Sequence, residues 1–219
     1  MENTKNNFLA DLIPVVVMAI LALTALMDLS KGDLSLAGLS TMLGFIFFFI
    51  LKIRKRQSYA DVGLGIKDFT SGIKKYWVIV LIPSLINLFC IILSKAVLPG
   101  YIDHVVGRTE ALISFNKITL MTVEFIAFAL IEEVSWRGFM QKQFGKYMNP
   151  AIAIFLTSIF FSIGHATKGD FVLVAYDVFF VFCNSLFYGL AYAKTKNIYF
   201  SALSHFLANF TGMLLLLFL

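Results

Sequence analysis

The chain has 219 residues, of which 59% are hydrophobic and 14% charged, with 24 Phe and a mean hydropathy of +0.85. Soluble domains carry about 25% charged residues, and a soluble fold of this size would lack the polar surface to cover so apolar a chain, so lipid is its expected solvent. The net charge of +5 falls mostly in short loops beside apolar runs, where membrane topology explains it and no nucleic-acid partner is needed.

In chain order, apolar runs lie at roughly 8–27, 35–52, 77–98, 117–140, 149–166, 171–193 and 198–218. Each is about as long as a helical membrane span. The expected fold class is therefore an all-α integral membrane protein with about seven transmembrane helices. The runs at 35–52 and 149–166 are short, so six or eight spans also fit. The first run begins with Glu2 offsetting Lys5, contains Pro14 and lacks a clear small-residue cleavage site, so it reads as a retained helix and not a signal peptide. Between the second and third runs, residues 57–76 form the longest connection. Asp61-Val-Gly-Leu-Gly65 punctuates it, and Ile66–Tyr76 mixes apolar residues with Lys67, Lys74 and Lys75. A short interfacial helix and a solvated linker fit it equally. Cys90 and Cys183 each lie inside a run and read as small buried hydrophobes. No internal repeat is visible, and with it the inverted symmetry common in transporters is missing.

Lys and Arg set the orientation. With the N-terminus in the cytoplasm, that side holds Lys5, Lys52, Arg54, Lys55, Arg56, Lys67, Lys74, Lys75, Arg137, Lys142, Lys146, Lys194 and Lys196. Lys31, Lys95, Arg108, Lys117 and Lys168 fall on the other, a split of 13 to 5. The positive-inside rule thus predicts a multi-pass protein of the plasma membrane with a cytoplasmic N-terminus.

A charge at membrane depth costs a few kcal/mol or more and normally faces a bundle interior or a wet cavity. Glu124, Glu132, Glu133, His165, Asp177 and His205 are such residues, and all lie in the second half of the chain. They predict a polar site in the bundle of the last four spans, with residues 1–114 supplying N-terminal helices and a cytoplasmic connection and 115–219 forming the catalytic bundle. Within Glu132-Glu133-Val-Ser-Trp-Arg137, Glu133 and Arg137 are four apart and share a helix face. Glu132 lies about 100° around the helix. That leaves it without a local partner and makes it the candidate general base. Phe161 and His165 share a face, as do His205 and Asn209. From Glu132 to a turn at Asn149-Pro150, and back to His165, the two paths are similar in length, so antiparallel helices bring Glu132 and His165 to similar depth. Pro150 suits the first position of a new helix. His205 fits less well, being only about 10 Å into its span. Asp177, Asn184 and Glu124 rank lower, as cavity lining or ties between helices.

The three motifs Glu132-Glu133-x-x-x-Arg137-Gly138, Phe161-x-x-x-His165 and His205-x-x-x-Asn209 together resemble the CPBP family, the CAAX proteases and bacteriocin-processing (Abi) proteins. The resemblance covers roughly 115–215. It implies an intramembrane endopeptidase in which Glu132 activates water with the help of His165, and His205 and Asn209 stabilise the oxyanion. Glu133 and Arg137 would then support the site, and the cavity would open to the cytoplasm. The family is often labelled metalloprotease. No His-Glu-x-x-His zinc motif is present, and a divalent metal such as zinc, if bound, would take Glu132, His165 and His205 as ligands. A small Phe-rich chain looks like a bacterial member. Its expected substrate is a peptide or membrane-protein tail, in bacteriocin processing or self-immunity, ahead of CAAX-type processing. The competing reading is a non-catalytic immunity factor or a small-solute or proton carrier, since intramembrane acids and histidines also relay protons.

Overall fold

The computed structural model describes residues 2–27, 36–67, 69–109 and 118–218, and every regular element among them is helical. In chain order these are α1 (Glu2–Leu23), α2 (Leu36–Arg54), α3 (Phe69–Val97), α4 (Tyr101–Thr109), α5 (Ile118–Glu133), a π-helical segment (Val134–Gln141), α6 (Lys142–Phe144), α7 (Pro150–Ile163), α8 (Phe171–Thr195) and α9 (Ile198–Leu217). Lys31 and Lys117 of the charge split lie outside the described residues, as do the side chains of Lys5 and Arg108.

Helices occupy all seven predicted runs. Among the described residues, three helices are long and apolar enough to cross a membrane, within Gly72–Val97, Phe171–Thr195 and Ile198–Leu217, and two shorter apolar helices run over Asp11–Leu26 and Pro150–Ile163. The seven-span count therefore goes further than these helices do. Many large apolar side chains point outward, among them Ile20, Leu85, Phe89, Ile92, Val123 and Phe155. In water they would be a liability. In lipid they are the solvated surface.

Several local features follow the sequence closely. Asn149 caps α7 by accepting from the Ile152 amide at 2.9 Å, with Pro150 in the first turn. Asp170 caps α8 and Asn197 caps α9 in the same way. The 57–76 connection departs from both of its readings. Its second half is not a separate interfacial helix, because α3 starts at Phe69 and runs unbroken to Val97. Phe69 packs on Phe200 at 4.9 Å between ring centroids, and Gly72 leaves no room for a Cβ beside the same ring. Its first half is more than a solvated linker. Val62 is buried, the Ile198 amide donates to Gly63 O at 2.7 Å, and Asn197 Nδ2 donates to Gly65 O at 2.6 Å. The loop thus roofs the start of α9 and sets that start inside the protein, where Ile198 has no exposed surface.

One core joins both halves of the chain. Val15, Met18 and Ala22 of α1 and Phe48 of α2 pack with Val134, Trp136, Phe139 and Met140 of the π segment, and with Phe161, Tyr188 and Ile198. The Ser135 hydroxyl donates to Thr41 O at 2.7 Å and Trp136 Nε1 to Thr41 Oγ1 at 3.1 Å. Lys146 and Lys55 both pair with Asp11, which ties the middle of α1 to the ends of α2 and α6.

Candidate active site

The site begins where α5 gives way to the π segment. A π turn is rare in helices and is found mostly at functional positions. Here it carries Arg137 into the protein, with no exposed surface. Gly138 makes the approach feasible, since a Cβ would lie 2.7 Å from Ile198 Cδ1 and 2.9 Å from Phe48 Cε2.

Arg137 Nη1 donates to Glu133 Oε1 at 2.9 Å, the i,i+4 pair expected from the spacing. Its Nη2 donates to Ser185 O at 3.0 Å and to Ser185 Oγ at 2.6 Å. The guanidinium also lies 4.6 Å from the centre of the Phe161 ring and 5.3 Å from that of Tyr188. Burying this arginine is tolerable because its charge and both terminal nitrogens are met nearby, although its Nε finds no hydrogen-bond partner among the described residues. Its burial also removes Arg137 from the loop charges that report topology, without changing their direction.

Glu133 is completely buried and serves more groups than Arg137 alone. Its Oε2 accepts from the Ser201 hydroxyl, and its Oε1 lies 3.0 Å from His205 Nδ1. A carboxylate can only accept, so Nδ1 carries the proton in that bond. His205 is stacked flat on Tyr188, with ring centroids 4.6 Å apart, and meets the edge of Phe161 at 5.7 Å. Its second nitrogen, Nε2, is 3.6 Å from Glu132 Oε2. That is beyond hydrogen-bond length. His205 therefore bridges the two neighbouring acids, held by one and facing the other.

Glu132 and His165 face a cavity of about 440 Å³. The Glu132 side chain keeps 25% of its surface open, against none for Glu133. His165 Nδ1 donates to Phe161 O at 2.8 Å, because a carbonyl offers no hydrogen, and this leaves Nε2 as the basic nitrogen of the neutral ring. The same cavity is lined by His205 and by Asn209, one turn further along α9. All four predicted catalytic positions thus converge on one space. His205 reaches the same cavity as Glu132 and His165, and the 57–67 loop covers the start of its helix.

Farther along the cavity the wall is polar as well. The Tyr101 hydroxyl donates to Asp177 Oδ1 at 2.9 Å, and Asn184 Nδ2 donates to Asn87 Oδ1 at 2.6 Å. Asn87 and Cys90 come from α3 and Tyr101 from α4, so the cavity is not confined to the last four runs, although its four candidate catalytic residues are. Glu124 is not part of its lining.

Sequence reasoning did not identify Ser185, Tyr188 and Ser201. Ser201 had a signal, since it precedes His205 by four residues and so shares its face. Ser185 and Tyr188 had none, because they act through contacts between helices. Among the described residues, no group of three or more His, Cys, Asp or Glu side chains is placed to hold a metal ion. The Glu132, His165 and His205 set, named above as the ligands of a zinc or other divalent ion, is not assembled as such a site.

A family model described as "Type II CAAX prenyl endopeptidase Rce1-like" matches residues 114–211. No curated protein and no solved structure matches the chain. The matched segment holds the acid pair, Arg137, both cavity histidines and Asn209. Residues 114–211 are a domain of the Rce1-like family, the CPBP proteins, and this membership implies a membrane-embedded protease.

Proposed function

We propose that the chain is an intramembrane endopeptidase that cleaves peptide bonds with water activated by Glu132. The observation that carries this reading is the sorting of two adjacent acids. Glu133 is enclosed by Arg137, Ser201 and His205, while Glu132 is left facing a cavity with His165, His205 and Asn209 around it.

In this mechanism a water in the cavity donates one hydrogen to Glu132, with His165 Nε2 accepting the other and orienting the lone pair. The water oxygen attacks the carbonyl carbon of the scissile bond, and its proton passes to Glu132. The carbonyl oxygen becomes an oxyanion that accepts from Asn209 Nδ2 and from His205 Nε2–H. Glu133 holds His205 through Nδ1 and so fixes its ring with Nε2 toward the cavity; with a proton on both ring nitrogens, Nε2–H can donate there. Collapse of the intermediate breaks the C–N bond, and Glu132 returns its proton to the leaving amine. Enclosure in a low-dielectric bundle strengthens these contacts and limits side reactions.

The substrates in this reading are peptides or membrane-protein tails, in bacteriocin or peptide processing and self-immunity ahead of CAAX-type removal. The test is cleavage of candidate peptides by purified protein in detergent or liposomes. Glu132→Gln should lower the rate by about 10²–10⁴-fold, the range of general-base catalysis. A variant as fast as the parent would overturn the mechanism, and would favour a binding or carrier role for the same cavity.

A further inference from the structure

We infer that the basic surface gathered around the 57–67 loop binds anionic phospholipid, with a headgroup site at the head of α3 made by Lys67, Lys74 and Lys75 beside Trp77. The inference does not depend on the protease reading, because none of these residues lines the cavity.

The first observation is an excess of cations that the protein leaves unanswered. The end of α2, the start of α3, α6 and the α8–α9 connection are all basic. Tertiary bonds tie them to one loop. Lys142 Nζ donates to Asp61 O at 3.4 Å, and the Ile198 amide and Asn197 Nδ2 donate to Gly63 O and Gly65 O. The acids described here are Asp11 and Asp61. Asp11 is shared by Lys55 and Lys146, and the Asp61 carboxyl is held by the amide and hydroxyl of Ser58. Arg54, Arg56, Lys67, Lys74, Lys75 and Lys196 are exposed and make no ion pair among the described residues.

The second observation is what lies between the cations. Ile53 is 71% exposed, Ile66 73% and Trp77 55%. Side chains of this kind are ill placed in bulk water and well placed just beneath headgroups, where tryptophan is enriched. Below Lys74 the same face of α3 continues through Val78, Leu81, Leu85, Phe89 and Ile92, three or four residues apart and all exposed. At 1.5 Å per residue that track is about 21 Å long, enough to accompany an acyl chain through one leaflet of a core about 30 Å thick. Helical side chains tilt toward the start of their helix, so Lys74 and Lys75 reach back from the level of Trp77 to the headgroup layer.

These two features select the occupant. A soluble acidic protein or a nucleic acid would answer the charge and leave the apolar track uncovered. A zwitterionic lipid would cover the track, but its headgroup brings its own cation. An anionic phospholipid satisfies both, since basic clusters at the membrane surface attract its headgroup.

The two tryptophans make the test direct, because Trp77 is exposed and Trp136 is only 2% so. Quenching by a lipid brominated on its acyl chains therefore reports on Trp77. Full-length protein in phosphatidylcholine vesicles receives increasing fractions of brominated phosphatidylglycerol or, in parallel, of brominated phosphatidylcholine. Phosphatidylglycerol should quench at the lower fraction. Lys67→Gln, Lys74→Gln and Lys75→Gln should each reduce that preference by up to roughly fivefold, the worth of one cation at an anionic surface. Equal quenching by the two lipids in the parent overturns the inference, as does a preference that survives the triple variant. Added salt needs no variant and should weaken the preference in the parent; indifference to salt counts against the charge pairing. Inorganic phosphate at matched ionic strength should not compete, and competition would make this a soluble-anion site and overturn the lipid assignment.

Discussion

The bundle has a packed end and a hollow end, built from the same helices. At the packed end Trp136, Arg137, Phe139 and Met140 of the π segment are each at most 2% exposed, wedged between α2, α7, α8 and α9. At the hollow end the side chains of α5, α8 and α9 surround a cavity of about 440 Å³. Glu133 and Glu132 are adjacent residues, yet the boundary between the ends passes between them. One has every oxygen engaged by protein groups, and the other faces open space. The difference teaches that chemical role here is set by what a helix turn faces, because neighbours about 100° apart enter different environments.

The comparison breaks most sharply at Arg137. Arg137→Met leaves Glu133 buried without its cation, and removing one partner of a buried pair costs about 3–5 kcal/mol. Unfolding of the purified variant in detergent should show that loss, while Glu132→Gln should unfold within about 0.5 kcal/mol of the parent, as expected where no such feature is broken. Equal losses in both variants would erase the distinction between the two ends.

Next in size is Asn209→Ala at the hollow end. Loss of one oxyanion donor lowers turnover by about 10²–10³-fold, and a cleavage assay should find the effect in kcat with KM little changed. A KM effect alone would assign Asn209 to binding. Gly138→Ala probes the packed end. Its new methyl group meets Ile198 and Phe48, and overpacking of this kind costs about 1–3 kcal/mol, measurable as a lower unfolding temperature.

The smallest effect is expected at Asp61, in the loop that roofs α9. Hydrogen bonds from the Ser58 side chain and amide hold its carboxyl below its usual range, with Lys142 adding to the effect. A depressed folded value means that this contribution is present above the unfolded pKa of about 3.9 and fades as pH falls through the lower folded value. Limited proteolysis of the 57–67 loop should therefore quicken in Asp61→Asn at neutral pH, and in the parent only in strong acid. A loop equally resistant in both would mean that its backbone bonds to α9 suffice.

Much of the site was legible because its ingredients are local. Glu133 and Arg137 are one helical turn apart, Asn149-Pro150 marks a helix start, and charges in apolar runs stand out against their neighbours. The rank of Glu133 was less legible. Spacing alone pairs it with Arg137, but its hold on His205 and Ser201 joins α5 to α9 across 68 and 72 positions. The loop that covers the start of α9 was not legible either, because its backbone bonds to Asn197 and Ile198 join positions far apart in the chain.

By itself the sequence determined the solvent, the helical class, the seven apolar runs, the charge asymmetry and the four residues that meet in the cavity. These depend on composition and on periods of a few residues, which a chain carries in its primary order. Only the tertiary structure decided which acid is enclosed, that α3 and α4 help to wall the cavity, and which end of the bundle is hollow. Those outcomes depend on contacts between helices far apart in sequence, where side-chain volume and hydrogen-bond partners from several elements must be satisfied together.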